Sequence, residues 1–129
     1  MEFKYDEVLD LQVAETLYRG QKIKIRLYCR DEDDFSNLAN KAISDVDSHW
    51  ESLRTAIVSK LLPEYNEESN QRLTPDEFFS RLVLQTIDYD ARDIMYTLLW
   101  SDSGLFGGHS ITVSWDPEVK FRANVSLFG

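Results

Sequence analysis

Leu9, Leu11 and Val13 alternate with Asp10 and Gln12 near the start of the chain. After Arg19-Gly20-Gln21 the same two-residue period resumes. Ile23, Ile25, Leu27 and Cys29 alternate there with Lys22, Lys24 and Arg26. Successive side chains of a strand point to opposite faces, so this pattern predicts a β-hairpin over residues 8–29 with one buried and one wet face. The Lys22/Lys24/Arg26 stripe is either a binding surface or a guard against edge-to-edge pairing.

The period then changes. Phe35, Leu38, Ala42, Val46, Trp50, Leu53, Ile57 and Leu61 recur at steps of three and four, the mark of an amphipathic helix over 31–62. Asp33 or Asp34 can cap its start, and Pro63 is expected to end it. Twenty-eight residues of it, from Phe35 to Leu62, would span ~42 Å at 1.5 Å per residue, longer than a small domain is wide. It must therefore cross the sheet diagonally or break near Ser44–Ser48. Residues 63–72 have no apolar period and are expected to form an exposed acidic loop. Thr74-Pro75-Asp76-Glu77 carries an N-cap, a proline at the first helical position and the acid of a capping box, so a short helix begins there and ends near Leu82.

The remainder alternates again. Four strands are predicted at 83–90, 94–101, 109–115 and 119–127, with turns at Ala91-Arg92-Asp93 and Asp116-Pro117-Glu118. Met95 to Trp100 is apolar apart from Thr97, which suggests a central strand covered on both faces. The expected fold is one α+β domain. Its antiparallel sheet combines an N-terminal hairpin with a C-terminal four-stranded meander, packed against one long and one short helix.

Charge adds a direction to this picture. The 129-residue chain carries a net charge of −9, unevenly spread. Residues 1–30 hold six basic and five acidic side chains, residues 31–79 four and twelve, and residues 80–129 four and six. An acidic middle third repels nucleic acid and anionic lipid and attracts basic proteins. The acidic positions gather in two clusters, Asp31, Glu32, Asp33 and Asp34, then Glu64, Glu67 and Glu68. These seven are the candidate partner-binding residues. Cys29 is the one cysteine, and Met1–Glu7 lacks the basic start and apolar run of a signal peptide, so a reducing, cytoplasmic setting is expected.

Motifs for chemistry are sparse. His49 and His109 stand sixty residues apart, and with one cysteine they form no zinc pattern. Asp88-Tyr89-Asp90-Ala91-Arg92-Asp93 lacks the glycine and final glutamate of a calcium loop and reads as a hairpin turn. Gly104-Leu105-Phe106-Gly107-Gly108 precedes a strand rather than a helix, so its glycines serve a bulge or positive φ rather than a phosphate. No cofactor or metal is expected. His109, opening a strand beside two glycines, is the residue to watch, with Asp102 and Tyr96 as possible companions in a cleft. His49 and the three Trp read as structural.

Leu73-Thr74-Pro75-Asp76-Glu77-Phe78-Phe79-Ser80-Arg81-Leu82, followed by Leu105-Phe106-Gly107-Gly108-His109-Ser110-Ile111-Thr112-Val113, resembles the bacterial family called domain of unknown function 2262. Members similarly carry a Leu-Thr-x-x-x-Phe helix start and a Phe-x-Gly-His-x-Ile-x-Val strand. The resemblance covers about residues 38–129. Members often place a Trp just ahead of the short helix, where this chain offers only Tyr65. The resemblance brings no catalytic residues with it. Small acidic bacterial proteins of this type sometimes accompany toxins as immunity proteins. The expected function is therefore an immunity-type binding protein, not an enzyme, that neutralises a basic toxin. The alternative is an enzyme or small-ligand binder with a cleft around His109.

Overall fold

The computed structural model describes residues 1–116 and 122–128. Among the described residues seven strands form one sheet in sequential order: β1 (Lys4–Asp6), β2 (Leu11–Tyr18), β3 (Gln21–Tyr28), β4 (Val83–Asp90), β5 (Met95–Ser101), β6 (Ser110–Trp115) and β7 (Asn124–Phe128). Three helices lie between β3 and β4: α1 (Phe35–Ser48), α2 (Trp50–Glu68) and α3 (Pro75–Ser80). The fold is α+β with a mostly antiparallel sheet. The expected turn at Asp116-Pro117-Glu118 and the start of the last strand fall in residues 117–121, outside the described residues.

The hairpin β2–β3 forms, but its first strand departs from the expected burial: Leu9 is exposed in the turn before β2, and Val13 pairs with Arg26 on the face away from the helices while Gln12 pairs with the buried Leu27. Arg19 and Gly20 make a two-residue turn with φ of 50° and 78°, and two positive φ values match the right-handed twist of the flanking strands. Ile23, Ile25 and Leu27 are buried. β3 is interior rather than an edge, because it pairs in parallel with β4. That pairing also corrects the expectation of a purely antiparallel sheet. Parallel neighbours need a crossover, and the three helices supply it.

α1 and α2 replace the single long helix. Asp34 caps α1 by accepting from the Asn37 N–H at 3.1 Å. The break falls at His49. Ser48 Oγ donates to the Ser44 carbonyl at 2.7 Å, and the His49 ring Nδ1 lies 2.8 Å from the Asp45 carbonyl. Side chains that engage the carbonyl ladder bend a helix. Beyond the break, Trp50 packs on Tyr18, Phe79 and Trp100 with centroids 5.7, 5.8 and 5.4 Å away.

Pro63 does not end α2, which continues to Glu68. Contacts with residues beyond the helix hold the last turns. Asn66 clamps Leu73 by accepting its N–H at 2.9 Å and donating to its carbonyl at 3.1 Å. Tyr65 packs on Phe78. Residues 63–68 are therefore helix, not loop. α3 starts as expected, with both bonds of the Thr74–Glu77 capping box present, and it ends at Ser80.

All three helices cover one face of the sheet. Ala39, Ala42, Val46, Leu53, Ile57 and Leu61 meet Ile87, Leu98, Trp100, Ile111 and Val113 in the core. Across β4, β5 and β6 the rings of Tyr89, Tyr96 and Trp115 stack at 4.6 and 4.7 Å. The opposite face carries a row of Val13, Arg26, Asp88, Thr97, Ser114 and Asn124 in register. β5 is thus central but buried on one face only, which corrects the expectation from its apolar run. No helix among the described residues is long and apolar enough to cross a membrane.

A proline inside a helix removes one hydrogen bond and costs up to about 3 kcal/mol relative to alanine. Pro63→Ala should therefore raise stability, by up to that amount, measured as a shift of the urea midpoint with unchanged slope.

Candidate functional site

The loop from Asp102 to His109 joins β5 to β6 and is built around one carboxylate. Asp102 is 1% exposed. It accepts the backbone N–H groups of Gly104 at 2.8 Å, Phe106 at 2.9 Å and His109 at 2.9 Å. Gly107 and Gly108 take φ of 81° and 87°, a conformation open to glycine at no steric cost, and so let the chain turn back into β6. Burial pushes the Asp102 carboxyl up, but the amides of Gly104, Phe106, His109 and Gly108 outweigh it and hold the pKa below its ordinary value. Asp102 is therefore the organiser of the loop rather than a lining residue.

The loop carries Phe106 against α2 and α3, with its ring 5.8 Å from Tyr65 and 6.2 Å from Phe78. His109 Nδ1 contacts the Phe106 carbonyl. A carbonyl can only accept, so Nδ1 carries the proton and Nε2 is the basic nitrogen. Between this loop and the end of α2 lies an open cleft of about 690 Å³, lined among others by Glu64, Tyr65, Glu68, Phe106, His109 and Leu127.

Glu64 and Glu68 stand four residues apart on the exposed surface of α2, on one side of the helix. They occupy its C-terminal turns, where the helix dipole disfavours anions, and no basic residue stands in the last turn. Helix stability alone would put Lys or Arg there. The arrangement concentrates negative potential on the cleft.

The cleft unites residues that the sequence kept apart. Glu64 and Glu68 of the second acidic cluster line the same cleft as His109, while Glu67 is exposed beside them. The first cluster lies elsewhere. Asp31 to Asp34 follow β3, at the end of the sheet where Tyr28 pairs with Asp90. The cleft sits at the other end, where Val83 and Ser110 both pair with Ser101. Two of the first four have local work: Asp33 accepts the Arg30 N–H at 2.8 Å, and Asp34 caps α1. Asp31 and Glu32 are exposed in a turn.

Tyr96 is not a cleft residue. It is fully buried under α1, and its hydroxyl donates to the Asp45 carboxylate. Burial, then that carboxylate, push the Tyr96 hydroxyl well above its usual range. Tyr65 and Phe106, the aromatic walls of the cleft, were missed in the sequence. The one local signal was an aromatic residue set among glycines at 104–108.

A family model described as "Uncharacterized protein conserved in bacteria (DUF2262)" matches residues 1–124. The chain belongs to this family. No curated protein and no solved structure matches it. The DUF2262 match extends beyond the resemblance noted from residue 38 onward and takes in the N-terminal hairpin as well. It contains the Asp102–His109 loop and the acidic end of α2, and stops short of Leu127.

A carboxylate with a depressed folded pKa contributes stability above its unfolded pKa, about 3.9, and loses it as pH falls through the lower folded value. Asp102→Asn should therefore cost about 2 kcal/mol near neutrality, the scale of hydrogen bonds to a charged acceptor. The gap between the two proteins should close below about pH 4, as read by denaturant unfolding across the pH range.

Proposed function

We propose that this DUF2262 chain is an acidic cytoplasmic binding protein of immunity type. It neutralises a cognate basic toxin by binding it, and seats one of the toxin's cationic side chains in the cleft beside the Asp102–His109 loop. The observation that carries the reading is the position of Glu64 and Glu68. Two carboxylates stand where helix stability disfavours them, facing a cleft with the rings of Tyr65 and Phe106 in its wall. Carboxylates and aromatic faces together suit a guanidinium or ammonium group. The −9 net charge supplies long-range attraction to a basic partner and disfavours nucleic acid and anionic membranes.

This reading places the contact at the cleft end of the sheet. Asp31 and Glu32 lie at the far end of the sheet from the cleft, so they contribute general attraction rather than contact. Against the basic protein that co-purifies from the source cell, Glu64→Lys/Glu68→Lys should slow association about tenfold or more at low salt. The difference should shrink as salt is raised. Asp31→Lys/Glu32→Lys should slow it by much less. Equal slowing by the two reversals would leave only a non-specific charge effect, and no slowing by either would remove the reading.

His109 supports a second reading, a small-ligand binder or enzyme, because its Nδ1 contact fixes Nε2 as a base on the cleft-lining ring. Asp102 is not its orienting carboxylate: Asp102 accepts the His109 backbone N–H, while the ring Nδ1 is engaged by the Phe106 carbonyl. On this reading metal-free protein shows a turnover that His109→Ala abolishes, with capture of the basic partner unchanged.

A further inference from the structure

The sheet has two edges of different character. β1 is three residues long and carries Lys4 and Asp6, features that discourage further pairing. β7 is Asn124-Val125-Ser126-Leu127-Phe128, with neither charge nor proline, and among the described residues it is the last strand in the sheet order. An uncharged edge of this length is a template for another strand.

α2 runs alongside β7. Two shallow depressions, of about 470 and 640 Å³, lie between them. On the helix side they are lined by Glu51, Ser52, Thr55, Ala56, Ser59 and Lys60, and on the strand side by residues 123–126. Small side chains along this side of α2 leave room for a second helix to approach.

We infer that two copies of this chain associate through β7. The strands pair edge to edge and antiparallel about a two-fold axis normal to the sheet, which continues the sheet from one copy into the other. That axis also sets the two α2 helices side by side and antiparallel. The α2 sequence is self-complementary under this operation. When Thr55 of one copy faces Ala56 of the other, Ser52 faces Ser59 and Glu51 faces Lys60, each contact occurring twice. Small residues meet at the centre and opposite charges at both rims. Glu51 is available for the exchange, since its contact with Arg54 is long, 3.8 Å, and its side chain is 82% exposed. A heterologous strand would satisfy the edge but would not match the helix in this symmetric way.

Sedimentation equilibrium and concentration-dependent hydrogen exchange on the full chain test the inference. The wild-type protein should sediment as a dimer in the micromolar range, and amide exchange in residues 124–128 should slow as concentration rises. Ala56→Arg, near the axis, should raise the dissociation constant about a hundredfold, within the range for overpacking at an interface. Glu51→Lys and Lys60→Glu should each raise it about tenfold, because one reversal disrupts two ion pairs. The double exchange should return it to near the wild-type value. A monomer at every concentration, a dimer indifferent to Ala56→Arg, single reversals without effect, or a double exchange that fails to restore association would each overturn the proposal.

Discussion

Arg26 and Asp88 close the parallel junction of the sheet with two hydrogen bonds, Nε to Oδ1 at 2.7 Å and Nη2 to Oδ2 at 2.6 Å. The bond is bidentate and half-buried, which gives it geometric specificity as well as strength. It lies on the uncovered face, where β3 meets β4 in register. Everything else in the architecture answers to that junction. Two strands that run the same way oblige the chain to travel back across the sheet, and the segment between them becomes three helices on one face. The opposite face carries none of the three helices.

Having crossed, the helices must be seated, and the aromatic residues do this. Trp50 sits at the break between α1 and α2, against Tyr18 from the hairpin, Phe79 from α3 and Trp100 from β5. Under α1 the stacked rings of Tyr89, Tyr96 and Trp115 present one hydroxyl upward, to Asp45. Lys41 lies over the Tyr89 ring and bonds Asp45 at 2.9 Å, so the buried hydroxyl meets a charge that is itself compensated. The break at His49 lets each half-helix find its own partners in place of one rigid rod.

What the sequence revealed follows the range of the interactions concerned. The β2–β3 hairpin and the capping box at Thr74 were legible, because their determinants lie within a few residues. Pro63 misled, because the Asn66–Leu73 clamp and the Tyr65 packing that carry α2 past it come from outside the helix. The parallel junction was invisible, since Arg26 and Asp88 are 62 positions apart. β1, three residues with a polar composition, has no pattern to read. The cleft was half legible. His109 and the acidic cluster were each noted, but only the packing of α2 over the loop shows that Glu64 and Glu68 line one cleft with that histidine. Tyr96 was joined to them in error. Six steps along the strand direction carry the chain from Tyr96 to Asp102, roughly 20 Å at 3.3 Å per residue.

The way Asp102 organises its loop has a consequence for how this surface can change. Its carboxylate binds main-chain amides, not the side chains attached to them. Ser103, Leu105 and Phe106 could be exchanged for other residues while Gly104, Phe106 and His109 kept their N–H bonds to it, provided the glycines still made the turns. The scaffold and the rim of the cleft are in that sense separately variable. A lineage that had to follow a shifting counterpart could re-cut the lining of this socket one residue at a time without rebuilding the frame that holds it.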